Sequence, residues 1–505
     1  ALLVALLTLG PGALRSAPNP PFDIVEAGIP ELRRALVRGR VTSVQLVRAY
    51  LARIDRYNSL LRAAISVNPQ ALEEAAVLDR ERARGRIRGP LHGIPVAVKD
   101  NIQVLGMPTT GGTLAFRGWL APYEATLVVN LRTAGAVILA KTTLTELANW
   151  VAEDMPNGYN PVTGFSLNPY DPRPDPRPGL QGRSVIDTGG SSSGVGTAAS
   201  LWAASVGTET SGSILSPSTQ TGLVGIKPTV GRISRHGIIP ITADQDTAGP
   251  MARTARDLAL MMRAIAGPDA RAPLSLSESA EVFGRPLDRD FRGVRIAWSR
   301  NFGGLPMEPA VSRILEAQRG VFAALGCVVE DAEPDLRDAD EIFRVLRAWY
   351  FELSYGALLK SHRAQMKDTV IWNIEEGARL TGPQIGAAEV KRTQLFHRVR
   401  EFMEKYDFLV GPVTQVLPFD VGQPYVTEIN GVRLDTYLDW MRSCYLISAT
   451  GLPAASVPCG FDTQGLPAGL QIIGRNRDDV GVLQLAHAFE GATGFWKTRP
   501  PVAAK

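Results

Sequence analysis

Hydrophobic and polar positions along this chain follow two different periods, which predict alternating helices and strands. After Thr42, an expected helix N-cap, apolar residues recur three or four positions apart as far as Ile54, the spacing of an amphipathic helix. Short apolar runs at Ile94–Val98 and Gly135–Ala140 instead predict buried strands, and Thr126–Thr133 between them has a helical pattern. Alternation of this kind predicts a layered α/β fold.

The second half of the chain begins after a polar, proline-bearing connector at Gly267–Asp290. A strand is predicted at Val294–Trp298. Helical patterns are then predicted for three segments, Glu308–Leu325, Ile342–Leu359 and Gln384–Tyr406.

The first residues combine an apolar run, Ala1–Ala13, with a proline-rich stretch, Ala17–Phe22. Its core of about nine apolar residues is too short to span a bilayer, but it fits the hydrophobic region of a secretory signal. We therefore expect residues 1–21 to be the remnant of an export signal with its leader, and the protein to be periplasmic or secreted. The alternative is a short helix packed on the body of a cytoplasmic protein.

Composition excludes several classes of protein. The net charge is +4, and 45% hydrophobic with 21% charged residues is ordinary for a globular chain. Only nine of the 54 basic residues are Lys, and no basic stripe is interleaved with aromatics, so we expect no nucleic-acid partner. Cys327, Cys444 and Cys459 form no CxxC pair and no Cys/His cluster. We expect no disulfide framework, no metal, no cofactor and no stable membrane insertion.

Two segments only partly match known catalytic or phosphate-binding motifs. Gly135–Thr142 lacks the second glycine of a phosphate-binding loop, because Ala140 stands there, so we expect a strand instead. Gly190–Gly194 matches the G-x-S-x-G nucleophile elbow. No downstream histidine has an evident catalytic setting, which disfavours a Ser-His-Asp triad.

The stretch 188–228 is rich in Gly and Ser, with two turns at 189–194 and 207–213. Such residues let the backbone approach itself and a substrate closely, and successive N–H groups there can bind an anion. Core-type residues within the stretch argue against a flexible linker: Leu201, Trp202, Val206, Ile214 and Val224.

Lys99 ends an apolar strand in a chain that has few lysines. A lysine at a strand end commonly emerges into solvent. A buried one has a lowered pKa and can act as a neutral base. Paired with serines in a Gly-rich turn, it would form a Ser–Lys hydrolase that needs no histidine.

These segments together resemble the amidase signature family of serine hydrolases. The resemblance covers about residues 22–500 and implies a mixed twisted β-sheet flanked by helices on both faces. It implies a single domain over 22–505, with the catalytic core in 22–266, and a helical substrate-side region and C-terminal core strands in 291–505. The matching segments are GIPVAVKDNI around Lys99, 135–149, 189–194, 207–213, 225–240, 450–461 and 465–474.

The resemblance also implies roles for individual residues. Lys99 would be the base, Ser191 a bridging serine after a cis peptide bond that follows Gly190, and Ser213 the nucleophile. Ser192 would support them. The oxyanion hole would be formed by the backbone N–H groups of four residues, Thr210, Ser211, Gly212 and Ser213.

The pattern GTET-x-GSI, the triple serine and the segment 234–253 resemble the peptide-amidase-like branch. They are less like the glutamine amidotransferase subunits, which typically carry Arg in the place of Leu215. Three features depart from the family. The link 171–188 is long, the segment between Ser191 and Ser213 is about two residues short, and Ser211 stands where Gly or Asp is commoner.

The resemblance implies a hydrolase that cleaves small or peptide-like amides through an acyl-enzyme, without a cofactor. Two alternatives stay open: an esterase, aryl-acylamidase or carbamate hydrolase with the same triad, and a non-catalytic or amidotransferase-type subunit. We expect a small-molecule amide, ester or carbamate substrate, and a monomer or homodimer. Specificity is expected in the loop Asp171–Arg183 and in the helical region 340–400, with its aromatics Trp349, Tyr350, Tyr355 and Trp372.

Overall fold

A mixed eleven-stranded β-sheet flanked by helices organises the chain, which confirms the predicted α/β class. The computed structural model describes residues 22–149, 159–171, 191–239, 246–420, 423 and 425–503. Of Ser191 and Ser192 only the backbone is described. The predicted export segment, the loop 172–190 and the Gly190–Ser191 peptide lie outside these ranges.

The strands within the described ranges are β1 Ala64–Val67, β2 Pro95–Lys99, β3 Val137–Thr142, β4 Ala204–Glu209, β5 Val224–Lys227, β6 Thr247–Ala252, β7 Arg295–Trp298, β8 Val328–Asp331, β9 Phe408–Pro412, β10 Glu428–Ile429, β11 Val432–Arg433, β12 Ala454–Phe461 and β13 Pro467–Gly474.

The α-helices within the same ranges are α1 Ile29–Val37, α2 Ser43–Leu61, α3 Ala71–Ala83, α4 Thr126–Thr133, α5 Ser191–Ala198, α6 Leu215–Gln220, α7 Ala255–Ile265, α8 Pro309–Glu316, α9 Arg319–Ala324, α10 Ala339–His362, α11 Asp368–Arg379, α12 Gly382–Lys405, α13 Arg442–Ser448 and α14 Asp479–Thr493.

The large sheet has the order β1-β3-β2-β4-β6-β5-β12-β13-β9-β7-β8. Its parallel pairs are β3 with β2, β2 with β4, β9 with β7 and β7 with β8, and the other neighbours are antiparallel. Strands β2, β3 and β4 therefore run in one direction and end at the same edge. The carboxyl ends of parallel strands are a common place for a binding site in α/β proteins.

Local signals set most helix boundaries where the sequence predicts them. Thr42 caps α2 as expected: its hydroxyl accepts the Gln45 N–H at 3.1 Å, and Gln45 Oε1 accepts the Thr42 N–H at 2.8 Å. The single helix predicted at Glu308–Leu325 is instead two helices. The chain tightens between them, because the Gln318 N–H bonds the carbonyl three residues back, on Leu315, at 2.9 Å.

The Gly/Ser-rich stretch is part of the core and not a linker. Its apolar side chains are fully buried, and Trp202 packs so closely on α5 that a Cβ at Gly196 would lie 1.9 Å from the indole. The indole N–H donates to Thr197 Oγ1 at 2.9 Å. The small residues of α5 are therefore required for this packing. Among the described residues, no helix is long and apolar enough to cross a membrane.

Candidate active site

The predicted base lies at the end of β2, and the predicted nucleophile lies in the turn that follows β4, the parallel neighbour of β2. In the register of the sheet, Lys99 at the end of β2 is opposite Thr142 at the end of β3, and Val98 is opposite Val206 of β4. The chain leaves β4 at Glu209 and enters the turn Thr210–Ser213. Lys99 and this turn consequently occupy the same edge of the sheet.

Lys99 is fully buried, so the alternative that it emerges into solvent is wrong. Its Nζ donates to Thr208 Oγ1 at 2.8 Å and lies 3.4 Å from the Thr208 carbonyl oxygen. Asn101 Nδ2 donates to the same hydroxyl at 3.2 Å. The Lys99 side-chain nitrogen is thus held against Thr208 of β4, two residues before the turn that carries Ser213.

The turn Thr210–Ser213 is buried and is fixed by a carboxylate. Each of its polar side chains is at most 3% exposed. Gly212 has a φ of 127°, a conformation that favours glycine. Behind the turn, Glu209 Oε2 accepts the N–H groups of Ile214 and Leu215, the latter at 3.1 Å. Glu209 thereby fixes the backbone that directly follows Ser213.

Helix α5 begins at the same edge of the sheet. Its backbone starts at Ser191 and packs on β2, β3 and β4. Ser193 Oγ lies 2.7 Å from Thr142 Oγ1, which places the first turn of α5 beside the strand position opposite Lys99. At eight residues, α5 is a short helix. The side chains of Ser191 and Ser192 lie outside the described residues.

Glu209 and Lys227 are a buried charge pair that the sequence reasoning missed. Both are completely buried. Burial raises the pKa of the Glu209 carboxyl and lowers the pKa of the Lys227 ammonium, and the charge of each partner opposes that shift. The available signal was a charged residue at the end of an otherwise uncharged strand, in VGIK and in ASVGTE.

Two further buried carboxylates near the strand ends have their own cations. Asp100 forms an ion pair with Lys141 at 2.9 Å, and Thr110 donates to it through its N–H and its hydroxyl. Asp246 forms an ion pair with Arg235 at 2.7 Å. Burial raises the pKa of Asp246, and Arg235, Lys99 and Thr210 act in the opposite direction. Both ion pairs support the structure. The pair with Asp100 also explains the presence of Lys141, the lysine of the incomplete phosphate-loop motif.

Asp246 also belongs to the site by register. Thr247 of β6 pairs with Glu209 of β4 in an antiparallel ladder, which brings Asp246 beside Thr210. Of the aromatics expected to set specificity, Tyr355 is buried within the field of Asp246, whereas Trp372 is 40% exposed. Across the described part of the chain, no three His, Cys, Asp or Glu residues are grouped so that they could hold a metal ion.

The chain is similar to known proteins over nearly its whole length. The sequence profile of the family described as Amidase matches residues 45–483. A glutamyl-tRNA(Gln) amidotransferase subunit of Moorella thermoacetica is 32% identical, over 93% of this chain and 97% of that protein.

Two solved structures are also similar. The peptide amidase of Stenotrophomonas maltophilia is 33% identical with a TM-score of 0.79, over 95% of this chain and 99% of that one. A bacterial aryl acylamidase of the amidase signature family has a TM-score of 0.84 at 24% identity, with the same shares of the two chains covered, and its likeness shows the fold. The amidotransferase subunit from Moorella and the peptide amidase are almost equally identical to this chain, so identity alone does not separate their activities.

Proposed function

We propose a function for this chain from the family to which it belongs, the amidase family: it is a serine hydrolase that cleaves linear carboxylic amides through an acyl-enzyme. One observation carries the proposal. Lys99 is completely buried, and its Nζ forms a hydrogen bond with Thr208 of β4. Thr208 is two residues before the buried turn that contains Ser213. A lysine held in this way near a buried serine supports a Ser–Lys mechanism.

In the proposed mechanism, burial disfavours the charged form of Lys99, so its amine is neutral before the reaction and is free to accept a proton. The proton comes from Ser191, which in turn takes one from Ser213. The Ser213 oxygen then attacks the substrate carbonyl carbon. A serine hydroxyl is a weak nucleophile until a base removes its proton, so this relay is the activating step.

Negative charge then develops on the carbonyl oxygen, and the backbone N–H groups of residues 210–213 stabilise it. Glu209 contributes by occupying the next two amides, which fixes where the turn ends. Donors that are already oriented need no reorganisation during the reaction, and each is worth roughly 10²–10³ in rate.

Collapse of the tetrahedral intermediate requires the amine to leave, and an amine leaves only when it is protonated. The proton held by Lys99 returns through Ser191 to the nitrogen. Water then repeats the sequence on the ester that joins the acyl group to Ser213. Esters and carbamates react by the same steps, and their turnover measures how strictly the site requires an amide.

The test is covalent labelling with a fluorophosphonate, followed by kinetics on matched amide, ester and carbamate substrates. The wild-type protein is expected to be labelled at Ser213 and to hydrolyse amides. Ser213→Ala should lose both labelling and turnover, with its unfolding transition little changed. Ser216→Ala, a buried serine in α6, is the matched control and should still be labelled. Equal labelling of wild type and Ser213→Ala would refute the assignment.

A second candidate is an amidotransferase-type subunit, which the curated relatives favour by their names. Such a subunit would release ammonia from a carboxamide donor for use by a partner. Glutamine and peptide C-terminal amides, offered to the isolated chain, separate the two. Efficient hydrolysis of peptide amides or anilides supports a stand-alone amidase, and turnover of glutamine alone supports the amidotransferase subunit.

A further inference from the structure

The buried charges at the active-site edge are nearly all balanced. The carboxylates Asp100, Glu209 and Asp246 each have a cation of their own, as described above. Arg347 of α10 is different. It is 1% exposed, and no carboxylate among the described residues forms an ion pair with it. A buried cation with no carboxylate in direct contact is costly, so its place in the fold requires a reason.

The contacts of Arg347 satisfy only part of its guanidinium. Nη2 donates to Asn149 Oδ1 at 2.8 Å, and the group lies over the rings of Phe351 and Phe343, 4.6 and 5.9 Å from their centres. Nε and Nη1 have no hydrogen-bond partner among the described residues. Four of the five N–H donors of this arginine are therefore unused, and buried donors are rarely left so.

Asn149 does not depend on Arg347. Its Oδ1 also accepts hydrogen bonds from Tyr437 OH at 2.8 Å and from Asn373 Nδ2 at 3.2 Å. Its Nδ2 donates to Thr369 Oγ1 at 2.9 Å. Three other side chains thus also hold this asparagine, so Arg347 is not its only support.

Arg347 lies toward the edge of the sheet that carries Lys99 and the turn with Ser213. Its partner Asn149 follows β3, whose last residue is opposite Lys99. The charge of Arg347 also acts on Asp246, together with those of Lys99 and Arg235. A cavity of about 190 Å³ provides space for a small polar group; its charged lining residues are Arg344, Arg347 and Glu376, and Glu376 forms an ion pair with Arg379.

We propose that Arg347 is a specificity residue that binds a carboxylate carried by the substrate at a point away from the scissile bond. The inference rests on the proposed amide hydrolysis and adds to it a substrate class, acidic amides. A substrate carboxylate supplies both a counter-charge in direct contact and the acceptors for the unused donors. It belongs either to the acyl part, as in the monoamide of a dicarboxylic acid, or to the amine part, as in an N-acyl aminobenzoate.

The experiment compares substrates that differ only in this group. Glutaric acid mono-4-nitroanilide is compared with pentanoic acid 4-nitroanilide, and N-pentanoyl-4-aminobenzoate with pentanoic acid anilide. For one of the two pairs we expect the acidic member to have a kcat/KM at least tenfold higher, which assigns the carboxylate to the acyl or the amine side. If neither pair shows a preference while all four are hydrolysed, the inference is wrong and the proposed hydrolysis stands.

Substitution then connects the preference to the residue. Arg347→Gln keeps an amide donor for Asn149 but removes the charge, and Arg347→Met removes both. Each should reduce the ratio of the two kcat/KM values to near one, whereas Arg292→Met, at an arginine whose side chain is 84% exposed, should keep the wild-type ratio. A preference that survives in Arg347→Gln would assign the carboxylate to another cation.

Binding of glutarate, measured by calorimetry, keeps the test independent of turnover. The wild-type protein should bind it, and Arg347→Gln should bind at least tenfold more weakly. If the protein hydrolyses no amide and is not labelled by a fluorophosphonate, the proposed function fails, while a glutarate affinity that depends on Arg347 still supports the carboxylate site. Equal affinity of the two proteins for glutarate would overturn it.

Discussion

Glu209 and Lys227 form a buried pair of opposite charges behind the turn that carries Ser213. The Glu209 carboxylate accepts hydrogen bonds from the two backbone N–H groups that follow Ser213. The charge of Lys227 favours the ionised form of this carboxylate. Among the described residues, Lys227 Nζ makes no hydrogen bond. The pair therefore acts through charge, and its effect on the turn passes through Glu209.

Removing one member of this pair should destabilise the protein more than removing both. Glu209→Gln leaves a buried ammonium without a counter-charge, and Lys227→Met leaves a buried carboxylate, so each should cost about 3 kcal/mol. In the double variant neither charge remains, and the loss should fall well short of the sum of the single losses. Urea unfolding of the four proteins measures this coupling, and additive losses would contradict it.

Lys99→Arg should lower kcat/KM by at least about 10³, although the positive charge is kept. Arginine does not release its proton in the accessible pH range, so it cannot act as the base. Lys391→Arg, at a partly exposed lysine paired with Glu341, is the control and should remain active. Near-normal activity of Lys99→Arg would confine Lys99 to a structural role.

The same mechanism predicts an acidic limb in the pH profile of kcat/KM, along which Lys99 loses its proton and activity rises. Glu209 could also produce an acidic limb, because it is buried beside the turn and burial raises the pKa of its carboxyl. The pH profile of the Glu209→Gln variant separates titration of Lys99 from titration of Glu209, because an acidic limb that persists in the variant does not come from Glu209. A profile without an acidic limb in the wild-type protein would argue against a neutral lysine base.

Local patterns predicted the elements and the position of Lys99, since strand ends and helix caps depend on neighbours in sequence. The family that the sequence motifs resemble is confirmed by the match over residues 45–483. The pairing of Arg347 with Asn149 was not predictable, because 198 positions separate them and their contact depends on how α10 packs. The break at Gln318 was missed for a different reason: its hydrogen bond to Leu315 leaves the apolar spacing unchanged.

Glu490 should give the protein a stability that decreases between pH 4.5 and 7. Burial raises the pKa of this carboxyl to about 7, although Ala255 N–H donates to it and His487 lies nearby. The unfolded chain loses the proton near its ordinary pKa of 4.5, while the folded protein keeps it up to about 7. The folded state therefore binds more protons in this window, and its stability falls as the pH rises.

The contribution of Glu490 appears as a difference between wild type and Glu490→Gln. From pH 4.5 to 8, the unfolding free energy of the wild type should fall relative to the variant by up to about 3 kcal/mol, since one pKa unit corresponds to about 1.4 kcal/mol. Glu401→Gln, at a side chain that is 66% exposed, is the control and should show no such trend. Urea unfolding at several pH values measures the difference, and a flat one would mean that Glu490 titrates normally.

Ser191→Ala should impair amide hydrolysis more than ester hydrolysis. The proposed task of Ser191 is to pass a proton in both directions, from Ser213 to Lys99 and then to the departing nitrogen. A nitrophenolate leaves without protonation, whereas an amine anion does not, so the return step is needed only for the amide. Alanine is compatible with the helix that begins at this position, and the comparison should report chemistry and not loss of structure.

Measuring kcat/KM for a nitrophenyl ester and the matching anilide, in wild type and variant, gives two losses of transition-state stabilisation. Their difference isolates the protonation of the leaving group, because attack by Ser213 and the oxyanion hole are common to both substrates. We expect the amide to lose at least about tenfold more than the ester, or about 1.4 kcal/mol. Ser193→Ala, which removes the hydroxyl beside Thr142, is the matched control and should reduce both activities by similar factors. Equal losses in Ser191→Ala would restrict Ser191 to activating or orienting Ser213, and the proton would then reach the nitrogen by another route.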